Sequence, residues 1–425
     1  MAKPIRIGVV GCGYWGPNLV RNFRSLPECN LKAMCDLNQE RLKHLTSLYP
    51  GVEAVTDFQR LLNGVGLDAI VIATSVKSHH SMAKASLLAG KHTLIEKPMA
   101  ASSRECEELI DIAKKKGLVL MVGHTFLFSP AVRRIKEIVD WGDIGDIRYL
   151  AARRLNLGLY QKDINVTWDL APHDLSIILH VMGESPLTVN CRGSSLISPG
   201  VEDVTLMHLS FSRNRSAFVH SSWLDPKKTR EMTIVGSKRM IVYDDVEPLE
   251  KIRIFDARVD APPHYDTFAE FQYAYHYGDM YAPHIKQEEP LRLECQHFLE
   301  CIQTGMTPLT GGARGLEVVR ILEASSASLK QGGNPVYLAN DGSFQESVGL
   351  SGNNGNGSNE GRAKANGSNG NGNGNRKDGN GSKEGRAKAN GSNGNGNANR
   401  KAKRGSLGCD KAPMTKRRQA NVLSA

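Results

Sequence analysis

Ile5-Arg6-Ile7-Gly8-Val9-Val10 runs straight into Gly11-Cys12-Gly13-Tyr14-Trp15-Gly16, and this stretch decides the fold. A nearly unbroken apolar hexamer bounded by glycine reads as a strand buried on both faces, as in a parallel sheet. Gly11 suits a tight turn, Gly13 a backbone that must pass close to a pyrophosphate, and Gly16 a helix packed close on the strand. That helix has Leu19, Phe23 and Leu26 at helical spacing, and its N-terminus is a ready anion site.

A second strand, Leu31 to Cys35, ends in Asp36, twenty residues after Gly16. A carboxylate there accepts hydrogen bonds from ribose hydroxyls and repels a 2′-phosphate, so the expected cofactor is NAD rather than NADP. The alternation continues with a strand over 68–74, a loop from Ser75 to His80, a helix over 81–90 and a strand at His92–Ile95 that delivers Glu96-Lys97-Pro98. In an open parallel sheet ligands sit outside the carboxyl ends of the strands, so Thr74 and Lys97 should face the cofactor crevice.

The first domain is expected over 1–124 and a second over 125–345. From 147 onward the strand-like segments follow one another with little helix between them, which predicts an α+β domain with an open, mostly antiparallel sheet. Helices over 291–303 and 314–331 should close it. Residues 350–425 are rich in Asn, Gly, Ser, Lys and Arg and carry almost nothing apolar, so that tail is expected to be disordered.

The net charge of +10 points to nucleic acid until it is located along the chain. Residues 351–425 hold 15 Lys and Arg against 4 Asp and Glu, which leaves the remainder close to neutral. Nucleic-acid binding is therefore not expected except through the tail. No apolar run is long enough to span a membrane, the eight cysteines form no C-x-x-C pair, and a cytoplasmic protein with reduced thiols is expected. No metal-ligand spacing, nucleophile elbow or Walker loop is present.

A second chemical stretch is Trp168-Asp169-Leu170-Ala171-Pro172-His173. If a helix starts at Asp169, Pro172 falls in its first turn, and Asp169 and His173 share a face at i, i+4. The carboxylate would then hold the imidazole in one tautomer. His173 is suited to take the hydroxyl proton as hydride leaves a secondary alcohol, and Lys97 to stabilise the developing alkoxide. Taken alone, Asp169 and His173 fit a helix cap and a satisfied core histidine equally well.

Gly11-Cys12-Gly13-Tyr14-Trp15-Gly16, Glu96-Lys97-Pro98 after Ala89-Gly90-Lys91-His92, and the Asp169/His173 pair together resemble the Gfo/Idh/MocA family of oxidoreductases over residues 5 to about 340. The resemblance implies an N-terminal Rossmann domain, a second domain whose open sheet serves homo-oligomerisation (dimer or tetramer), and NAD(P)-dependent chemistry on sugars or cyclitols. It implies catalytic roles for Lys97 and His173, with Asp169 orienting, and places Thr74 and Glu96 near the nicotinamide ribose. The cofactor set it implies is Gly11, Gly13, Tyr14, Trp15, Gly16, Asp36, Thr74, His79, Glu96 and Lys97. Arg153 and Asn156, near the strand end that leads to the pair, join Lys97, Asp169 and His173 as candidate substrate contacts.

Asn165-Val166-Thr167-Trp168, Gly123-His124-Thr125-Phe126-Leu127 and Arg154-Leu155-Asn156-Leu157-Gly158 are similar to the branch acting on nucleotide-linked sugars. The expected reaction is hydride transfer at C3 of a UDP-N-acetylhexosamine. The alternatives are a free-sugar or inositol dehydrogenase, and a non-catalytic NAD-responsive binding protein. The aromatic run Tyr265, Phe268, Phe271, Tyr273, Tyr275, Tyr277 and Tyr281 is read as a sheet edge or subunit contact in preference to a base-stacking surface.

Overall fold

The computed structural model describes residues 3–161, 164–260 and 273–338. The tail at 350–425 and the aromatics Tyr265, Phe268 and Phe271 lie outside the described residues. The first sheet alternates strand and helix: β1 (Ile5–Val10), α1 (Gly16–Ser25), β2 (Cys29–Cys35), α2 (Gln39–Leu48), β3 (Glu53–Val55), α3 (Phe58–Gly64), β4 (Ala69–Ile72), α4 (Val76–Leu88), β5 (His92–Glu96), α5 (Ser103–Lys116) and β6 (Leu120–Gly123). All pairings are parallel and the order is β3-β2-β1-β4-β5-β6, so the direction of winding reverses between β1 and β4. Ligands bind at that switch point in doubly wound sheets, and the glycine-rich turn, Asp36 and Thr74 all stand around it.

The chain continues through α6 (Pro130–Asp140), β7 (Ile147–Leu157), α7 (Val166–Met182), β8 (Thr188–Ser194), β9 (Val204–Ser210), β10 (Ser216–Ser222), β11 (Leu224–Gly236), β12 (Met240–Asp244), β13 (Ile252–Asp260), β14 (Ala274–Tyr281), α8 (Pro290–Thr304), α9 (Gly312–Lys330) and β15 (Val336–Tyr337). The second sheet runs β14-β13-β12-β11-β7-β10-β9-β8-β15 and is antiparallel except where β10 meets β7. One face is covered by α6, α7 and α9 through Ile135, Ile138, Leu175, Ile178, Val318 and Leu322. The other face leaves Tyr149, Leu206 and Phe218 exposed. Tyr273, Tyr275, Tyr277 and Tyr281 are exposed on or beside the edge strand β14, as a sheet-edge reading requires.

Three expectations are corrected. Residues 75–80 are not a loop: α4 begins at Val76 behind Ser75, and the polar run Lys77-Ser78-His79-His80 hid it because the buried face there is a histidine. α7 begins three residues before Asp169, with Asn165 as N-cap accepting from the Trp168 N–H at 3.1 Å. Pro172 therefore lies inside the helix, beyond its first turn, where it removes one hydrogen bond and crowds the preceding carbonyls. The helices at 290–330 do not close the second sheet alone. α8 packs beside α1, with Phe23 and Phe298 edge to face at 6.4 Å, and Val319 of α9 joins the core under β4 and β5.

Candidate active site

The glycines of the first turn divide into those the fold demands and one that it does not. Gly11 has φ +93°, and a Cβ there would lie 2.5 Å from the Ala73 carbonyl oxygen; a Cβ on Gly16 would lie 1.8 Å from the Gly11 oxygen. Gly13 has no such reason, because its nearest neighbour would be Arg41 Nη1 at 3.7 Å. The space over Gly13 is what a pyrophosphate needs. We therefore expect Gly16→Ala to cost upward of about 3 kcal/mol of stability. Gly13→Ala should keep its thermal midpoint and bind NAD at least about ten-fold more weakly. Calorimetric unfolding and NAD titration of the two variants check this.

Asp36 caps the same turn. Its Oδ2 accepts from the Cys12 N–H at 2.6 Å and its Oδ1 from the Asn38 N–H at 2.8 Å, with Arg41 Nη1 4.0 Å away. A carboxylate offers about four lone-pair positions, so acceptor capacity remains for ribose hydroxyls. Tyr14 is 75% exposed beside the turn. Trp15 is the N-cap of α1, and its buried indole N–H faces the Glu96 carboxyl. Thr74 stands at the end of β4, its hydroxyl accepting from Ser78 at 2.8 Å. The open space over Gly13 and the spare acceptor capacity of Asp36 fit an NAD molecule laid across the carboxyl edge.

His79 departs from the cofactor role expected of it. It is 1% exposed, and its two ring nitrogens lie 2.9 Å from the Pro98 oxygen and 3.0 Å from the Thr74 oxygen. From the inner face of α4 it ties together the loops that follow β4 and β5, which leaves no ring nitrogen for a ligand.

β5 delivers Glu96 and Lys97. The Lys97 ammonium donates to the Asp169 carbonyl oxygen at 2.8 Å and lies 3.7 Å from Asp169 Oδ1. The carbonyl that Pro172 leaves without its helical N–H is that of Trp168, one residue earlier; Asp169 accepts the ammonium through a second lone pair. The remaining carboxylate oxygen of Asp169 accepts from the Trp223 indole at 3.0 Å. His173 Nδ1 is buried with no hydrogen-bond partner. The expected Asp169–His173 hydrogen bond is thus replaced: an i, i+4 relation puts the two on one face, but Asp169 is held by Lys97 and Trp223. The imidazole rests against Phe126 instead, edge to face at 5.0 Å, and the Arg154 guanidinium lies over the other reach of that ring at 4.7 Å.

Burial, then the charges of Lys97, Arg154 and Arg230, hold the His173 pKa well below its usual 6.5, so the imidazole is neutral at pH 7. His124, fully buried with both ring nitrogens unpartnered, is lowered to about 4 by burial and by Lys97. Glu96 packs against Gly123, where a Cβ would come within 2.9 Å of its carboxylate, and burial raises it to about 7 against the pull of Lys97. Glu294 of α8, which accepts from the Thr125 hydroxyl at 2.8 Å, is raised well above its usual range by burial and then by Glu96.

A carboxyl with a raised folded pKa contributes stability that is present below its unfolded value near 4.5 and is lost as pH rises through about 7. Glu96→Gln removes that loss. The variant should gain on the wild type between about pH 5 and about pH 8, by at most about 3 kcal/mol. Thermal unfolding across that range reads the difference directly.

Arg153 is also corrected. Side chains alternate along β7, so Arg153 points to the open face of the sheet, pairs with Glu231 and lines a groove there with His208 and His220. Its neighbour Arg154 points inward and holds Asp174 through two hydrogen bonds of 2.8 and 2.9 Å. Asn156, on the same side as Arg154, lies beside Gly158 and Trp223. Sequence reasoning missed Trp223, Glu294 and Arg230, and it named His124 and Phe126 only inside a stretch similar to one branch of the family, without a role. Trp223, Glu294 and Arg230 come from separate elements, and only the fold brings them to Asp169, Glu96 and His173 respectively.

A nucleotide-binding parallel sheet joined to an open antiparallel one, with a lysine and a neutral histidine at the crevice, defines a dinucleotide-dependent oxidoreductase. Two family models match: "Oxidoreductase family, NAD-binding Rossmann fold" over residues 5–124 and "GFO/IDH/MocA C-terminal domain" over residues 132–242. The chain belongs to the Gfo/Idh/MocA family. The Bacillus subtilis protein named uncharacterized oxidoreductase YrbE is 28% identical over 345 residues, 78% of this chain and 96% of the relative. Myo-inositol 2-dehydrogenase of Thermotoga maritima is 23% identical over 77% of this chain and 97% of the relative. UDP-N-acetylglucosamine 3-dehydrogenase of Acidithiobacillus ferrooxidans is 27% identical over 56% of this chain and 74% of the relative. A solved structure of the last shares the fold, with TM-score 0.64 at 24% identity, covering 78% of this chain and 99% of that one.

Proposed function

We propose that this NAD-binding oxidoreductase moves a hydride between nicotinamide and a secondary hydroxyl of a sugar, C3 of a UDP-N-acetylhexosamine. The observation that carries the reading is the meeting of Lys97 with Asp169 at the mouth of α7, beside a neutral His173 and at the carboxyl edge of the cofactor sheet. NAD, when bound, supplies the hydride acceptor. Lys97 binds the carbinol oxygen and stabilises its growing negative charge. His173, uncharged at pH 7, accepts the proton. Asp169, held by Trp223, fixes the ammonium. Trp168, its indole N–H bonded to Ser326 at 2.9 Å, and Asn165 line a cavity with Glu202 next to this site, room for the part of a substrate beyond the reacting ring.

The substrate class rests on the similarity to UDP-N-acetylglucosamine 3-dehydrogenase; the likeness to myo-inositol 2-dehydrogenase favours a cyclitol or free sugar as the second reading. Mixing the protein with NAD and UDP-N-acetylglucosamine, N-acetylglucosamine or myo-inositol separates them: the reduced-nicotinamide band grows with the true class alone. Silence with all three contradicts the proposal.

Self-association through the open sheet face belongs to the same reading. Phe218 is 46% exposed there, stacked on His208 at 4.9 Å and edge to face with Tyr149 at 6.3 Å. An apolar aromatic patch of this kind is covered in a stable assembly. Phe218→Glu is expected to convert the oligomer to monomer in sedimentation; an unchanged assembly places the interface elsewhere. No helix among the described residues is long and apolar enough to cross a membrane. A cytoplasmic location fits the buried free thiols, of which Cys106 is pushed well above its usual range and Cys12 up to about 12 by burial.

A further inference from the structure

Arg154 of β7 and Arg230 of β11 are direct cross-strand partners. Because Arg154 reaches Asp174 on α7, both side chains stand on the face of the sheet that α7 covers. Two like charges opposed across an antiparallel pair destabilise it unless counter-charge is supplied. Here it is scarce. Asp174 is taken up by Arg154, which engages both carboxylate oxygens. Asp245 Oδ2 forms a long ion pair with Arg230 Nη1 at 3.6 Å, and Asp174 attracts the guanidinium from farther off. The Asp245 carboxylate also accepts from the Tyr243 hydroxyl at 3.0 Å and faces Lys251 Nζ at 3.5 Å.

The imbalance extends toward the candidate site. The charges acting on His173 come from Lys97, Arg154, Arg230 and, least, His124, all of one sign. Lys228 precedes Arg230 on the same strand, and its ammonium is repelled by the Arg230 guanidinium and attracted by Asp245. Arg154 has a side chain 6% exposed and is closed to ligands, whereas that of Arg230 is 22% exposed and can be reached. Four residues, 225–228, bulge out of β11 next to it, since Leu224 pairs with Leu157 and Thr229 with Leu155. The bulge opens the strand where Arg230 begins.

We propose that Arg230 is a subsite for an oxyanion carried by the substrate, either a carboxylate on the sugar or the diphosphate of a nucleotide sugar, seated beside His173 and balanced from behind by Arg154. This rests on the sugar-dehydrogenase reading and adds the charge that the substrate must bear. A neutral sugar leaves Arg230 with half of a shared carboxylate; an anion completes its shell with charge-assisted hydrogen bonds.

The test is calorimetric titration of the full chain saturated with NAD, using UDP-N-acetylglucosamine, UDP, D-glucuronate and neutral N-acetylglucosamine. Wild type should bind at least one anion about ten-fold or more tightly than N-acetylglucosamine, and Arg230→Met should lose about ten-fold for that anion with the neutral sugar unchanged. Loss confined to UDP and UDP-N-acetylglucosamine assigns the diphosphate; loss confined to glucuronate assigns the ring carboxylate. Arg230→Lys, which keeps the charge, should recover part of the affinity, and if Arg230→Met does not fold, wild type against Arg230→Lys carries the comparison through the lost fork geometry. The proposal is overturned if no anion outbinds N-acetylglucosamine, or if Arg230→Met changes every ligand alike, as it would were Arg230 only a source of field for an alkoxide. Binding is read without turnover, so the two readings fail separately. Anion binding through Arg230 with no NAD reduction removes the dehydrogenase and keeps the subsite, and turnover indifferent to Arg230 does the reverse.

Discussion

Lys97→Met is expected to lower kcat/KM for the sugar being oxidised by about a thousand-fold and to leave NAD affinity within about three-fold. The ammonium sits at the end of β5 with 19% of its side chain exposed, pinned by the Asp169 carbonyl at 2.8 Å and the Asp169 carboxylate at 3.7 Å. Its remaining donor faces the crevice in which the reacting oxygen must lie. Methionine keeps the length and the packing while deleting the charge, so the loss falls on the transition state, where the oxygen is most negative. A non-catalytic, NAD-responsive protein also keeps its NAD affinity, but it shows no turnover in the wild type and every cellular effect survives the substitution. Steady-state kinetics and NAD titration on one preparation distinguish the two.

His173→Asn is the second large effect, a fall of about a hundred- to ten-thousand-fold in kcat. The pH profile carries more information than the size. Burial and the neighbouring cations keep the wild-type imidazole neutral well below pH 6.5, so kcat/KM for oxidation should show no acid limb at the usual histidine value. Lys97 is the first of the charges that hold the imidazole down. Removing it favours the protonated ring, and the residual activity of Lys97→Met should therefore show an acid limb displaced upward. A limb at the same pH in both proteins would mean that a different group takes the proton. The same depression bears on stability. The unfolded chain binds histidine protons at a higher pH than the folded one does, so folding weakens as pH falls below about 6.5, toward the value of about 4 held by His124.

The first sheet was legible because its signals are local. Strand, glycine turn, helix and Asp36 succeed each other within 32 residues, and the backbone of each glycine can be judged from its own neighbours. Lys97 was legible for the same reason, as the residue a buried strand hands to the carboxyl edge. Asp169 and His173 were found by spacing, but spacing could not say what Asp169 holds, because Trp223 arrives from the turn after β10 and Lys97 from the other sheet. Arg153 and Arg154 show the limit most simply. Adjacent arginines have equal composition and opposite faces, and a one-residue error in strand register moves the wrong one into the site. His79 was placed at the cofactor only by the family resemblance, yet two backbone carbonyls already claim its ring.

The account stands most directly on where the hydride originates. UDP-N-acetylglucosamine carrying deuterium only at C3, incubated with the protein and NAD, should yield reduced nicotinamide that contains the deuterium, with a slower rate than the unlabelled sugar. Nicotinamide that stays oxidised, or becomes reduced with the label still on the sugar, contradicts it.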